Sequence, residues 1–334
     1  MAKVTIDEVA ARARVTKSTV SHALSGKRPV APETRLRIEA AITELGYRPN
    51  PVAQRLAAGR SRAMGLIFPP EQTEITAFDT PFVAATTAAA GRAGYALVLI
   101  LPGATAPSDV GFAGDGLLDG AILLHAGQRD ARVTALRVED VPFVLIGRTA
   151  DNAGLSFVDV DVDAAVDLCV ERLAALGHRR IAFLRDSRPG EAMAARALQA
   201  YELACARRRI RLLVAACNTS VGHARVATAR LLGEHGDITG IIAWNEWAGW
   251  AATEAARDAG LRVPEDLSVV CLTHGIAVNL LPFDPTCVDL RSEALAGTAV
   301  TLLLELLDGE GAGEQQALLQ PELIAGSTTG PARL

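Results

Sequence analysis

No apolar run in this chain approaches the ~18 residues that a membrane-spanning helix requires. Its 50% hydrophobic content therefore belongs to a folded interior. Nor does the opening Met1-Ala2-Lys3-Val4-Thr5 begin the apolar core of a signal peptide, which points to the cytoplasm. Cysteine is scarce: Cys169, Cys205, Cys217, Cys271 and Cys287 are an odd number, and no two form a CxxC pair. That pattern argues against a disulfide framework and a zinc ribbon, and leaves reduced, mostly buried thiols. No Walker A or GxGxxG run stands out, nor a nucleophile with an adjacent base, nor metal-ligand spacing. No catalytic residue, metal or cofactor is assigned. The tail Gly326 to Leu334 has no heptads, so no C-terminal coiled coil is expected.

The scarcest charged residue is the most telling. Only Lys3, Lys17 and Lys27 occur in 334 residues, all within the first segment. From Met1 to Arg62 there are 12 Lys and Arg against 5 Asp and Glu, a balance of +7, which leaves −12 for the rest of a chain whose total is −5. A compact basic module on an acidic body suits a binder of phosphate backbones, because counterion release draws in the basic face and the acidic remainder is kept off the polyanion.

Within that basic segment, Thr5-Ile6-Asp7-Glu8 is a capping box, followed by Val9, Ala10 and Ala13 at helical spacing. A second short helix follows over Thr16 to Leu24. Thr16 serves as its cap, Val20 and Leu24 stand four apart on one face, and Lys17, Ser18, Ser21 and His22 point elsewhere. Only Arg14 and Val15 separate the two, a tight turn compatible with a helix-turn-helix or with an ordinary helical hairpin that has a solvated face. A third helix begins at Ala31-Pro32-Glu33 with Pro at its first position. It carries the stripe Ile38, Ala41, Ile42 and Leu45, and Gly46 stands where a left-handed cap belongs. Next, Asn50 caps and Pro51 opens a helix of about two turns, too short to hold itself in water.

Val4-Thr5-Ile6-Asp7-Glu8-Val9-Ala10, Thr19-Val20-Ser21-His22 and Tyr47-x-Pro49-Asn50 with Leu56 resemble the lactose/galactose-repressor family of bacterial transcriptional regulators. The resemblance is dense over the first sixty or so residues and looser beyond. It implies a helix-turn-helix domain over residues 1–48, a hinge helix over 49–61 and a two-lobed effector-binding and dimerisation domain over 62–334. Lys17, Ser18 and His22 would face base edges, and Thr5, Thr16, Thr19 and Ser21 would position phosphates. The chemistry agrees, since lysine donates to guanine and hydroxyls suit phosphate oxygens. In the hinge, Asn50, Ala53 and Leu56 would lie against the minor groove, with Leu56 either wedged into a base step or serving as an interface leucine.

After Arg62 the pattern alternates between strand and helix. The first set is a strand Ala63 to Phe68, a helix Pro81 to Gly94, a buried strand Tyr95 to Leu101, a loop Gly103 to Leu118, a strand Gly120 to Leu124, a helix Arg129 to Val138 and a strand Pro142 to Ile146. A second set is expected to begin with the strand Phe157 to Val160 and to run through Leu272. The resemblance then implies re-entry into the first lobe at Thr286 to Leu290 with the helix Ser292 to Leu307, and a last strand of the second lobe over Ala317 to Ile324. The fold class expected is an all-α helix-turn-helix domain plus an α/β domain of two doubly wound parallel-sheet lobes around a hinged cleft, as in type I periplasmic binding proteins.

The effector residues implied for that cleft are Phe82, Asp161, Arg196, Trp244, Asn245, Glu246 and Thr273. Several depart from the family's usual pattern. Asn245-Glu246 stands where Asn-Asp is usual, Thr273 where aspartate is frequent, and Arg196 one place early, while Leu323 to Thr328 lacks the family's arginine. Trp244 and Trp247 fit stacking on a sugar or base as well as core filling, Trp250 fits the core, and His125 and His274 read as polar rim residues. The function expected is a ligand-responsive regulator, a repressor of a sugar or related catabolic operon. It would bind a near-palindromic operator in double-stranded DNA as a homodimer, take a small-molecule effector, and have no membrane partner and no enzymatic activity. A solute-binding receptor of the same lobe fold is the alternative, and the basic N-terminal module argues against it.

Overall fold

The computed structural model describes residues 4–25, 28–47, 60–76, 79–101, 116–187, 192–217, 220–273, 282–309 and 314–333. The chain divides into two compact units, Met1–Ser61 and Arg62–Leu334.

In the smaller unit, α1 (Ile6–Ala13) opens with the capping box: Thr5 Oγ1 accepts from the Glu8 amide, and the Glu8 carboxylate accepts from the Thr5 amide at 2.7 Å. Arg14 then adopts the left-handed conformation at φ 54°, so the tight turn is made without glycine. The second helix, α2 (Lys17–Ser25), starts on Thr16, whose hydroxyl accepts from the Thr19 amide at 3.3 Å. The third, α3 (Pro32–Leu45), carries proline in its first turn and ends on Gly46 at φ 61°. Val9, Val20 and Ile38, one from each helix, are fully buried and close the core. Arg12 Nε donates to Glu44 Oε1 at 3.0 Å and ties α1 to α3.

The larger unit is a pair of six-stranded sheets. The first sheet holds β1 (Ala63–Ile67), β2 (Ala96–Ile100), β3 (Gly120–Leu123), β4 (Phe143–Ile146), β5 (Phe157–Val160) and β11 (Gln316–Leu319), in the spatial order β11-β5-β4-β3-β1-β2. The second holds β6 (Ile181–Asp186), β7 (Val214–Cys217), β8 (Gly240–Ala243), β9 (Ser268–Thr273), β10 (Thr286–Asp289) and β12 (Glu322–Ile324), ordered β12-β10-β9-β8-β6-β7. Pairing is parallel except between β10 and β12. Parallel strands need both faces covered. The cover comes from α4 (Thr80–Arg92), α5 (Ala131–Val138) and α10 (Ser292–Asp308) in the first lobe. In the second it comes from α6 (Val162–Ala175), α7 (Ala192–Arg208), α8 (Val221–Glu234) and α9 (Glu246–Asp258).

Three expectations about lobe membership are corrected here. Phe157 to Val160 does not begin the second set: β5 pairs with β4 through Leu145↔Phe157 and Ile146↔Val158, and the chain crosses only as α6 begins. Re-entry comes after β10 and not with it, because β10 pairs with β9 in the second sheet while α10 packs on α4, β3 and β4. The stretch Ala317 to Ile324 is two strands, β11 parallel to β5 and β12 antiparallel to β10. Buried parallel strands all read as short apolar runs, so their partners are chosen by packing and not by local pattern. A fourth correction concerns β2, expected to be buried: it lies at a sheet edge with β1 as its neighbour, and Val98 and Leu99 are 41% and 38% exposed. The loop expected over Gly103 to Leu118 falls almost wholly outside the described residues.

All five cysteines are free and buried. Burial, reinforced by nearby carboxylates, pushes the Cys217 and Cys287 thiols up to about 12, so neither is a nucleophile at neutral pH. Among the described residues no helix is long and apolar enough to cross a membrane.

Gly249 shows how tightly α9 lies on β9, because a Cβ there would overlap Cys271 Sγ. Glycine to alanine inside a helix ordinarily gains up to about 1 kcal/mol. Here overpacking reverses the sign, and Gly249→Ala is expected to cost about 1–3 kcal/mol in denaturant unfolding. Cys271→Ala in the same chain should recover at least half of that loss. Additive penalties in the double-mutant cycle would show that the two sites do not meet.

Candidate DNA-binding face and effector cleft

On α2 the side chains divide sharply. Val20 is buried in the three-helix core, whereas Thr16, Lys17 and Ser18 are exposed and Thr19, Ser21 and His22 are half-buried. The Thr16 hydroxyl lies 2.8 Å from both Ser18 Oγ and Thr19 Oγ1, so three hydroxyls cluster at the helix N-terminus, where the backbone dipole favours an anion. Lys17 Nζ pairs with Asp7 Oδ2 at 3.0 Å. Both partners are more than half exposed, so the pair contributes only about 0–1 kcal/mol and yields readily to a phosphate or a base edge. Thr5 is more committed: its hydroxyl donates to Glu8 Oε2 at 3.1 Å while accepting from the Glu8 amide. Asn50, Ala53 and Leu56 lie outside the described residues.

The expected cleft residues separate into two groups. Asp161 caps α6, accepting from the Ala164 amide at 3.0 Å, and Asn245 caps α9, accepting from the Ala248 amide at 2.7 Å. Glu246 and Thr273 are buried at the start of α9 and the end of β9, and Trp244 is packed in the main core. Trp247 and Trp250 meet edge to face at 6.4 Å. Indole nitrogens of Trp244 and Trp247 are buried without a hydrogen-bond partner among the described residues. Among the described residues, none of these lines the cavity between the lobes formed by His125, Ile146, Arg148 and Met193. Phe82 and Arg196 do.

That cavity, open to solvent, has an apolar wall of Phe82, Ile146, Val160, Met193 and Leu295. Its polar side is His125, Arg148, Asp159 and Arg196. Asp159, on β5, is 3% exposed, and its Oδ2 accepts from Arg148 Nε and from Arg196 Nη2, each at 2.7 Å. Arg148 follows β4 in the first lobe and Arg196 lies on α7 of the second, so this cluster bridges the cleft. Burial pushes the Arg196 guanidinium below its usual range, with the Arg148 charge adding to the fall and Asp159 opposing it.

His125 is not the rim residue expected. Its Nε2 lies 2.9 Å from Asp79 Oδ1, both side chains are nearly inaccessible, and its ring meets Phe82 edge to face. The loop that carries it holds His125 at φ 52° and is pinned by Arg132, which donates to the Ile67 carbonyl at 2.7 Å and pairs with Asp130. Burial alone would raise the Asp79 carboxyl. His125 and the Thr76 donors outweigh it and hold Asp79 below the usual carboxylate range. His274 lies outside the described residues. The missed residues did leave signals: Asp159 is a carboxylate inside an otherwise apolar strand, and Arg148 follows a strand end.

Residues 5–50 match the family model described as bacterial regulatory proteins, lacI family, and residues 170–329 match the periplasmic binding protein-like domain. The chain is 30% identical to the HTH-type transcriptional regulator CelR of Thermobifida fusca, over 96% of each chain. It is also 30% identical to the HTH-type transcriptional regulator MalR of Streptomyces coelicolor, over 97% of this chain and 96% of the relative. Among solved structures it is similar to the lac repressor dimer bound to operator and the anti-inducer ONPF, at 25% identity and a TM-score of 0.82, covering 98% of this chain and 100% of that one. The CelR–cellobiose complex is similar at 26% identity and a TM-score of 0.73, with the same coverage.

The Asp79 arrangement has a pH signature. Its folded pKa is depressed, so its contribution to stability is present above the unfolded value near 3.8 and is lost as pH falls through the folded one. Asp79→Asn should therefore cost about 1–3 kcal/mol at pH 7 and flatten the stability profile below pH 4. Urea unfolding between pH 2.5 and 7 measures both. An unchanged acid limb would show that Asp79 is not held by its partners.

Proposed function

Because the chain belongs to the lacI family of bacterial regulatory proteins, we propose that it works as a dimeric repressor whose operator binding is set by a small effector held between the lobes. That it is a DNA-binding transcriptional regulator follows from the family. The observation that carries DNA reading is the face of α2, where Thr16, Lys17 and Ser18 stand exposed around a helix that buries only Val20 completely.

On this reading residues 1–48 read DNA, 49–61 form the hinge and 62–334 bind effector and dimerise. Lys17, Ser18 and His22 meet base edges, and Thr5, Thr16, Thr19 and Ser21 meet phosphates. Asn50, Ala53 and Leu56 join this assignment through the family resemblance alone. A near-palindromic operator and a dimer are supported by the likeness to a repressor dimer bound to operator. A sugar-class effector is supported by the likeness to a cellobiose complex and by a cavity with an apolar wall that includes Phe82 and a polar side. The effector site centres on Phe82, Arg148, Asp159 and Arg196. Asp161, Trp244, Asn245, Glu246 and Thr273 set the form of the strand ends behind it. The protein acts in the cytoplasm, where its DNA is, and carries out no catalysis.

Binding to an operator selected from random DNA should weaken steeply with salt. Lys17→Ala is expected to reduce the slope of log affinity against log salt by about 1 if Lys17 meets phosphate, or to relax base preference at one position by about 1–3 kcal/mol if it meets a base. His22→Ala should do the latter. Fluorescence anisotropy across a salt series, with operator and scrambled duplexes, reads both quantities. A flat salt slope, or equal affinity for the two duplexes, would reject the assignment.

A further inference from the structure

The cleft holds two guanidinium groups against one carboxylate. Arg148 and Arg196 both donate to the same oxygen of Asp159, and its other oxygen accepts from the Val160 amide at 2.9 Å. Each guanidinium carries five N–H donors, so most of this donor set faces the cavity or lies idle. Nε of Arg196 is buried without a partner among the described residues. The other acid that acts on Arg196 is Asp163, which is exposed on α6, where water screens it. Among the described residues, the balance in the low-dielectric wall of the cavity is one uncompensated positive charge.

We infer that the effector is a small polyol bearing an oxyanion, a carboxylate or a phosphate, which Arg148 and Arg196 clamp alongside Asp159, so that no buried carboxylate is left unpaired. This rests on the cleft being the effector site. Planar guanidiniums pair bidentately with either oxyanion, and two of them converging on one point suit a group with two or three acceptor oxygens. Phe82 and Met193 supply the apolar wall for the carbon skeleton. A neutral sugar's hydroxyls accept from these N–H groups but leave the second guanidinium without a counter-charge.

The same sharing couples ligand to lobe position. Asp159 and Arg148 belong to the first lobe and Arg196 to the second, so in the free protein the bridge across the cleft is made by the chain's own carboxylate. A bound oxyanion draws on both guanidiniums and adds a second bridge through itself. The spacing of the lobes then follows the ligand.

Calorimetry with the full chain tests this, using hexonates, pentonates, hexose phosphates and pentose phosphates, their neutral parent sugars, and inorganic phosphate. At least one acid derivative should bind ten times more tightly than its neutral parent, and comparison of the carboxylate and phosphate arms tells which oxyanion is taken. Arg148→Gln and Arg196→Gln should each weaken that binding at least tenfold, and Asp159→Asn should tighten it several-fold by removing the competing carboxylate. The inference is overturned if neutral parents bind as well as their acids, if the arginine variants bind like wild type, if no acid derivative binds, or if inorganic phosphate alone binds as tightly as the sugar derivatives. Met193→Trp separates the two claims. Should it abolish neutral-sugar binding while the arginine variants do nothing, the cleft remains the effector site and the anion claim falls. Should it leave binding of every probe unchanged, both fall.

Discussion

Neither sheet of the larger unit is finished by consecutive chain. β5 is laid beside β4 before the chain leaves the first lobe, and β11 comes back beside β5 only after β6 to β10 have been built. Exposed faces on parallel strands are costly, so α10 must also return to cover the first sheet. Three crossings result: β5 to α6, β10 to α10, and β11 to β12. They put the carboxyl ends of both sheets opposite one another, which is where open α/β sheets bind ligands. Short parallel crossings are also a natural hinge.

At the edge of that hinge the chain buries a carboxylate, and the cost of doing so explains much of the local design. An unpaired buried charge would cost several kcal/mol. Asp159 avoids this by taking one arginine from each lobe, and Asp79 avoids it through His125, Thr76 and Gln72. The contrast with Lys17 and Asp7 is instructive. That pair is exposed, contributes little, and is easily exchanged for an incoming phosphate or base. One molecule thus uses the same charge pairing as a fixed strut in its cleft and as a loose contact on the exposed face of α2.

Capping decides which polar residues remain available. Asp161 and Asn245 sit at strand ends, where a ligand-binding role is natural, yet each accepts a backbone N–H of the helix that follows it. A helix start leaves amides that must be satisfied, and the nearest side-chain oxygen takes that work first. Thr5 is in the same position within its capping box. The residues free to face the cavity are those that cap nothing: Arg148 on a loop and Arg196 inside a helix.

Much was legible without coordinates. The capping box at Thr5 to Glu8, the proline and glycine that bound α3, and the buried positions Val9, Val20 and Ile38 follow from local rules, because a helix writes its ends and its core face into residues three and four apart. The strands were legible as apolar runs, and the DNA-facing side chains as a polar set with no core to fill. Lobe membership of β5, β10, β11 and β12 was not, since a strand buried on both faces looks the same whichever sheet it joins. The local roles of the cleft residues were hidden for a related reason. Asp161 and Asn245 have the right chemistry and the right location, but a side chain's first obligation is to its own backbone neighbours. The charged cluster that does face the cavity joins Arg148, Asp159 and Arg196 from two lobes. Sequence alone determined that this chain carries a basic helix-turn-helix and a two-lobed α/β body. Only the tertiary structure decided which charges meet in the cleft, because those contacts depend on where the crossing strands bring distant segments together.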